Sequence, residues 1–158
     1  MNLNTTYKLN SVRAFTMVEV LMVMSLVSIL SVVAFPVALS WVDDAKDVST
    51  RQKLTQLREA IVGNPNIVIG GSYARPGFLN DVGTLPTSLT QLSTKGSLSS
   101  YDPFSRIGWR GPYIDASISD WNKDAWGSSF VYSSSARTLV SCGENKICGD
   151  SDDITVNF

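Results

Sequence analysis

The chain contains no histidine, and only two of its 158 residues are cysteine. A Ser-His or Cys-His nucleophilic pair is therefore excluded, because the base that would activate the nucleophile is missing. Tetrahedral zinc is disfavoured, since two cysteines without histidine supply too few ligands. No glycine-rich phosphate loop follows a predicted strand either. We therefore expect a protein that is not an enzyme.

Charged residues are also scarce, at 17% of the chain, with 13 basic side chains against 14 acidic ones. Proteins that bind nucleic acid as their main role carry a basic excess, so no nucleic-acid partner is expected. The scarcity is greatest between Val20 and Val42, where none of the 23 residues is charged. A helix of that length spans roughly 35 Å, enough to cross a bilayer core of about 30 Å.

One carboxylate, that of Glu19, lies at the very start of this apolar run. An ionised carboxylate in hydrocarbon is costly unless it is paired, and the sequence offers no lysine nearby on the same face. A partner becomes available if the chain is cleaved between Ala14 and Phe15. The new α-amino group of Phe15 would then lie one helical turn from Glu19.

These residues resemble the N-terminus of type IV prepilins and type II secretion pseudopilins. In that family a short basic leader ends in a small residue, usually glycine, and Phe-Thr-Leu-Ile-Glu or a close variant follows it. Here the leader is residues 1–14, and the segment after it reads Phe-Thr-Met-Val-Glu, with Ala14 in place of the glycine. The resemblance implies cleavage at Ala14-Phe15 by a prepilin peptidase, N-methylation of Phe15, and assembly through Glu19 and a helix-bending proline, Pro36.

Two simpler interpretations of the N-terminus remain open. A secretory signal peptide that is removed would have an apolar region of only about 7 to 15 residues and a cleavage site after it. An uncleaved signal anchor would need no glutamate at its start. For a prepilin and for an uncleaved signal anchor, the charges predict the same orientation in the membrane. Lys8 and Arg13 precede the span, while Asp43 and Asp44 follow it. We expect a single pass through the inner membrane, with a cytoplasmic N-terminus before processing and a periplasmic globular domain.

After the apolar run the pattern becomes amphipathic and predicts one continuous helix from about Thr16 to Val62. Its apolar face would consist of Val48, Leu54, Leu57 and Ile61. Gly63 and Pro65 should end it, and Pro36 should bend it. The sequence thus predicts four segments: a leader (1–14), a transmembrane and assembly helix (15–42), its amphipathic continuation (43–63) and a periplasmic globular domain (64–158).

The globular domain begins with a stretch rich in Gly, Pro, Ser and Thr, over residues 64–126, which predicts a long structured loop. A short helix is expected near Thr87 or Ser88. Three β-prone segments follow, at 129–133, 138–141 and 154–158, and predict an antiparallel sheet. A helix packed on such a sheet makes the fold class α+β. The resemblance to pilins implies their lollipop shape, with a long helix projecting from a small globular head.

Two aromatic stretches, Gly108–Ile114 and Asp124–Gly127, are similar to the Trp-Lys-Gly-Pro-Tyr and Asp-Pro-Trp-Gly stretches of major pseudopilins. We interpret Trp109, Tyr113 and Trp126 as structural residues.

The loop from Cys142 to Asp153 allows two further hypotheses. Two cysteines six positions apart outside the cytoplasm could form a disulfide, which we favour.

Calcium is the second hypothesis for this loop, because the corresponding loop of major pseudopilins holds calcium. Carboxylates are the ligands that calcium prefers. The four available here are Glu144, Asp150, Asp152 and Asp153, although Glu144 replaces an aspartate of the family pattern. A solvated acidic loop without any ion is the simplest alternative.

The function predicted from these features is structural. The chain would be a subunit of a type II secretion pseudopilus, polymerised through its N-terminal helix to drive protein export. Its partners would be other copies of itself, related pseudopilins, prepilin peptidase, an inner-membrane assembly platform, and membrane lipid before assembly. A type IV pilus subunit for adhesion, motility or DNA uptake is one alternative. An envelope binding protein that is anchored in the membrane and never polymerises is the other.

Overall fold

A computed structural model describes residues 15–64, 66–73 and 76–158, without the side chains at positions 33, 36–38, 68, 69, 72 and 73. The predicted leader therefore lies outside the described residues, and so does Pro65. The chain divides into two compact units between Trp41 and Val42. The first α-helix, α1, comprises Met17–Val62 and contributes to both units.

Hydrogen bonds cap α1 at both of its ends. At the N-terminus the Thr16 hydroxyl accepts a hydrogen bond from the backbone N–H of Glu19 at 3.2 Å, which satisfies one of the N–H groups that the first turn leaves free. At the C-terminus Gly63 has a φ of 91°, and its N–H donates to the carbonyl of Glu59 at 2.8 Å. This left-handed residue ends the helix. The observed bounds agree with the predicted helix, and the chain stays helical through position 36.

The second unit is organised around one hydrophobic core. Leu54, Leu57 and Ile61 of α1 are fully buried there, as the amphipathic pattern predicts. The prediction for Val48 was wrong, because its side chain is 55% exposed. Thr50 is the buried residue nearby, and its hydroxyl accepts a hydrogen bond from the N–H of Ala125 at 3.1 Å. At about 100° per residue, Val48 lies about 120° around the helix from Leu54, whereas Thr50 lies about 40° from it, so Thr50 and not Val48 belongs to the buried face.

The three predicted strands are Val131–Ser133 (β3), Thr138–Ser141 (β4) and Ile154–Asn157 (β5). They form one antiparallel sheet with β4 in the middle. Val131 pairs with Val140, and Leu139 pairs with Val156. Leu139 and Ile154 are buried and join the helix residues in the core. The fold is therefore α+β, with the amphipathic half of α1 packed on this sheet.

The stretch from 64 to 126 contains more regular structure than the predicted loop. Two short strands, β1 (Val68–Ile69) and β2 (Ser72–Tyr73), form a hairpin, and α2 follows at Gly77–Val82. The hairpin turn consists of Gly70 and Gly71, both with positive φ, as a two-residue turn between antiparallel strands requires. The short helix predicted near Ser88 is a 3₁₀-helix, Leu89–Leu92, whose last residue is buried in the core.

Candidate functional site

The part of α1 before Val42 carries apolar side chains on all of its faces. Phe15 is 76% exposed and Met17 is 82% exposed, and the residues that follow them are exposed in the same way. They are Val18, Val20, Leu21, Met22, Val23, Met24, Leu26, Val27, Ile29, Leu30, Val32, Phe35, Leu39 and Trp41. A helix that is apolar all round has no side suited to water. Counting the described side chains alone, no helix is long and apolar enough to cross a membrane.

Three serines of this segment are satisfied within the helix. The hydroxyls of Ser25, Ser28 and Ser31 donate to backbone carbonyls one turn earlier, at 2.8, 2.7 and 2.7 Å. An apolar environment penalises a hydroxyl without a partner, and these three hydroxyls carry their partner with them. The serines therefore do not oppose the burial of this helix against lipid or against other helices.

Glu19 lies in the first turn of α1, and the hydrogen bond from its N–H to the Thr16 hydroxyl places it three residues after the cap. Acidic residues are favoured there because the helix dipole leaves partial positive charge at the N-terminus. The Thr-x-x-Glu spacing is typical of helix starts, a local role that the sequence analysis missed. The Glu19 carboxylate makes no ion pair with any residue that the structure describes from Phe15 onward.

Ala14, the predicted residue before the cleavage, lies outside the described residues. Phe15 and Thr16 precede the first residue of α1 and are not helical. Pro36 lies within α1, but its side chain is among those that the structure does not describe. The described part of the processing segment, from Phe15 to Glu19, is thus a capped helix start, and a long apolar helix follows it.

Residues 9–35 match the family model described as the prokaryotic N-terminal methylation motif. The chain carries a type IV pilin-like prepilin signal. This signal supports processing by a prepilin peptidase, methylation, membrane association and assembly with other pilin-like subunits. It covers a minor part of the chain and does not separate a secretion pseudopilin from a pilus subunit. Neither the curated proteins nor the solved structures contain a match to the chain.

The C-terminal loop is closed by a disulfide between Cys142 and Cys148, whose Cα atoms are 4.5 Å apart. Cys142 follows strand β4 and is buried, whereas Cys148 is exposed. Inside the loop the Asn145 amide donates to the carboxylate of Asp150 at 2.7 Å and to that of Asp152 at 2.9 Å. Asn145 thus connects two carboxylates that would otherwise repel each other.

Of the four carboxylates proposed for calcium, those of Asp150 and Asp152 share Asn145, and the other two have different surroundings. Glu144 is exposed and makes no hydrogen bond or ion pair with the described residues. Asp153 accepts a hydrogen bond from the N–H of Gly149 at 2.6 Å through one oxygen, while its other oxygen is buried without a partner. Within residues 15–64, 66–73 and 76–158, no group of three or more metal-ligating side chains is placed to hold an ion. Calcium binding by this loop stays a prediction.

Reduction should destabilise the protein, and chelation should not. A disulfide restricts the unfolded chain, and for this small ring we expect a contribution of about 2 kcal/mol. The melting temperature of the detergent-solubilised protein should fall with a reductant and stay unchanged with a calcium chelator. The double variant Cys142→Ser/Cys148→Ser is the matched control and should not respond to the reductant. A melting temperature that falls with the chelator and not with the reductant would contradict this prediction and would support calcium binding by the loop.

Trp109, Tyr113 and Trp126 pack against the core. Tyr113 also borders a cleft of about 480 Å³ that the sequence analysis missed. Its hydroxyl donates to the Asp81 carboxylate at 3.1 Å, and Arg110 pairs with the same carboxylate at 3.2 Å. Burial raises the pKa of Tyr113 to about 12. We call this space the Tyr113 cleft; its apolar wall is formed by Ala60, Pro76, Pro112, Tyr113 and Ile114.

Proposed function

We propose that the protein is a structural, non-enzymatic subunit of a type II secretion pseudopilus. The match of residues 9–35 to the N-terminal methylation motif supports a processed pilin-like subunit. The resemblance of residues 108–114 and 124–127 to stretches of major pseudopilins favours secretion. A peptidase that removes the leader leaves an amine at Phe15 and a carboxylate at Glu19, at the end of a helix that is apolar on every face. Such helices can bury their surface by packing against copies of themselves.

The same features support the location that we propose. The charge-free run from Val20 to Val42 would hold the subunit in the inner membrane before assembly, and the unit from Val42 onward would face the periplasm. Lipid would cover the helix until an assembly platform extracts the subunit. Neighbouring subunits would then replace the lipid, which exchanges one apolar contact for another at little cost.

A subunit of a type IV pilus is the second candidate, because the motif supports it equally. The two functions differ in what is lost when the gene is deleted. Loss of an exported protein from the medium supports the secretion pseudopilus. Loss of surface filaments, adhesion or DNA uptake with normal export supports the pilus. The related alternative, a membrane-anchored binding protein, predicts no polymer at all.

Polymer formation can be tested by overproducing the full chain in cells that possess the peptidase and the assembly machinery. Filaments that carry the protein should appear after shearing and in immunolabelled electron micrographs. They should be absent from cells that lack the peptidase, which serves as the matched control. Protein that stays entirely in the membrane fraction of the complete cells would contradict the proposal and favour the anchored binding protein.

A further inference from the structure

The most exposed large apolar side chain of the second unit is that of Phe104, at 98%. It lies at the tip of a turn over residues 102–107, which we call the Phe104 turn. Ile107, at the end of the same turn, is 59% exposed. A monomer gains nothing from an apolar side chain held in water, and exposed apolar groups of this kind mark interaction sites when they occur together.

The Phe104 turn is held in place by hydrogen bonds. The Asp102 carboxylate accepts hydrogen bonds from the N–H of Phe104 at 3.0 Å and from the hydroxyl of Ser105 at 2.8 Å. The N–H of Asp102 donates to the carbonyl of Ile107, and the N–H of Arg106 donates to the carbonyl of Asp102. The hydrogen bond from the Phe104 N–H, followed by those from Ser105, lowers the pKa of Asp102. The turn therefore presents Phe104 outward without a large loss of entropy on binding.

The Tyr113 cleft offers a surface that matches this turn. Its volume of about 480 Å³ lies within the range of about 300–1,000 Å³ that is common for ligand sites. Glu59 and Asp115 line it together with the apolar wall, and Asp81 is already paired with Arg110. Glu59 lies in the last turn of α1, where the helix dipole adds partial negative charge to the cleft. The cleft thus suits an occupant with an aromatic ring and a positive charge.

The Phe104 turn carries both groups. Arg106 is two residues from Phe104, it is exposed, and its guanidinium makes no ion pair with the described residues. Glu59 likewise makes no ion pair within the described part of the chain. Since Phe104 is almost fully exposed, it does not occupy the cleft of its own chain.

We propose that the Phe104 turn of one copy inserts into the Tyr113 cleft of a neighbouring copy, with Arg106 facing Glu59. The two surfaces are different parts of the same unit, so each copy can offer its turn to one neighbour and its cleft to another. Contacts between unlike surfaces propagate into open chains when they do not close into a ring. The inference rests on the proposed function, and it adds a specific contact between globular units to the packing of the helices.

A photoreactive probe tests this contact in the full chain. Phe104 is replaced by p-benzoylphenylalanine, the cells are irradiated, and the adducts are mapped by mass spectrometry. We expect adducts of two copies in which position 104 is joined to residues 56–64 or 110–115 of the other copy. The same probe at Ile118, an exposed side chain at 62%, is the matched control and should give no such adduct.

Charge reversal tests the same contact independently. In the probe-bearing chain, Arg106→Glu should lower the adduct yield by about tenfold, because it sets a carboxylate against the acidic cleft. Adding Glu59→Lys should restore the yield. Adducts only with lipid or with other proteins, or equal yields at positions 104 and 118, would overturn the inference. Filaments without the adduct would leave the proposed function standing, whereas the adduct in cells without filaments would refute the proposed function alone.

Discussion

Replacement of Glu19 by alanine should lower the yield of sheared filaments by about a hundredfold. After cleavage, the Glu19 carboxylate is the only acidic group in an apolar helix surface that would be surrounded by other subunits. We expect it to pair with the Phe15 amine of an adjacent copy. Removal of one partner of a buried ion pair costs about 3–5 kcal/mol, and about 1.4 kcal/mol corresponds to a tenfold change in an equilibrium.

Loss of the helix cannot account for such a result. Alanine is the best helix former, and the Thr16 hydroxyl would still accept the hydrogen bond from the N–H of residue 19. The Glu19→Ala protein should therefore be inserted and cleaved as usual, which intact mass and membrane fractionation can verify. Glu19→Asp keeps the charge and should retain part of the filament yield, whereas Glu19→Gln should behave like alanine. A normal filament yield from Glu19→Ala would refute the pairing.

The largest effect on stability is expected from Asp124→Ala. The Asp124 side chain is 3% exposed, and its carboxylate accepts three hydrogen bonds. The donors are the N–H groups of Trp126, at 3.0 Å, and Ser128, at 2.8 Å, and the hydroxyl of Ser141 in β4, at 2.7 Å. A buried donor left without a partner costs about 1–3 kcal/mol, so the three donors should cost about 3–9 kcal/mol in total.

Denaturant unfolding of the solubilised full chain measures this loss. Domains of this size have a stability of about 5–15 kcal/mol, so Asp124→Ala should remove a large fraction of the stability of the second unit and lower its denaturation midpoint. Asp120→Ala is the matched control, because Asp120 is exposed and pairs with Lys123 only at 3.8 Å. Exposed pairs contribute about 0–1 kcal/mol. Equal stability of the two variants would show that the buried hydrogen bonds contribute little.

The sequence alone allowed the helix and the main sheet to be predicted, because both depend on local patterns. Leu54, Leu57 and Ile61 recur at helical spacing, and the three strand segments are short, β-prone and separated by turn residues. Val48 does not share their face, because six residues at about 100° each place it about 120° around the helix from Leu54. A periodic pattern identifies the face of a helix, but it does not reveal which element covers each turn.

The Tyr113 cleft could not be predicted in this way. It depends on Asp81, Arg110 and Tyr113, and Asp81 is about 30 positions from the other two, so they come together only through tertiary packing. The hairpin of β1 and β2 had a local signal in Gly70 and Gly71, since both residues adopt positive φ. Strands of only two residues show no alternating pattern beside that turn, so the sequence does not indicate the hairpin. The processing segment, by contrast, could be predicted from a local pattern, because Glu19 is followed directly by a run without charged residues.

The intact mass of the protein extracted from membranes of cells that possess the peptidase tests the central claim most directly. The account predicts a chain that begins at Phe15 and carries one methyl group on its α-amine. The same measurement on cells without the peptidase should give the uncleaved chain, with residues 1–14 still attached. If residues 1–14 remain attached in the peptidase-containing cells as well, the protein is not processed as a pilin-like subunit.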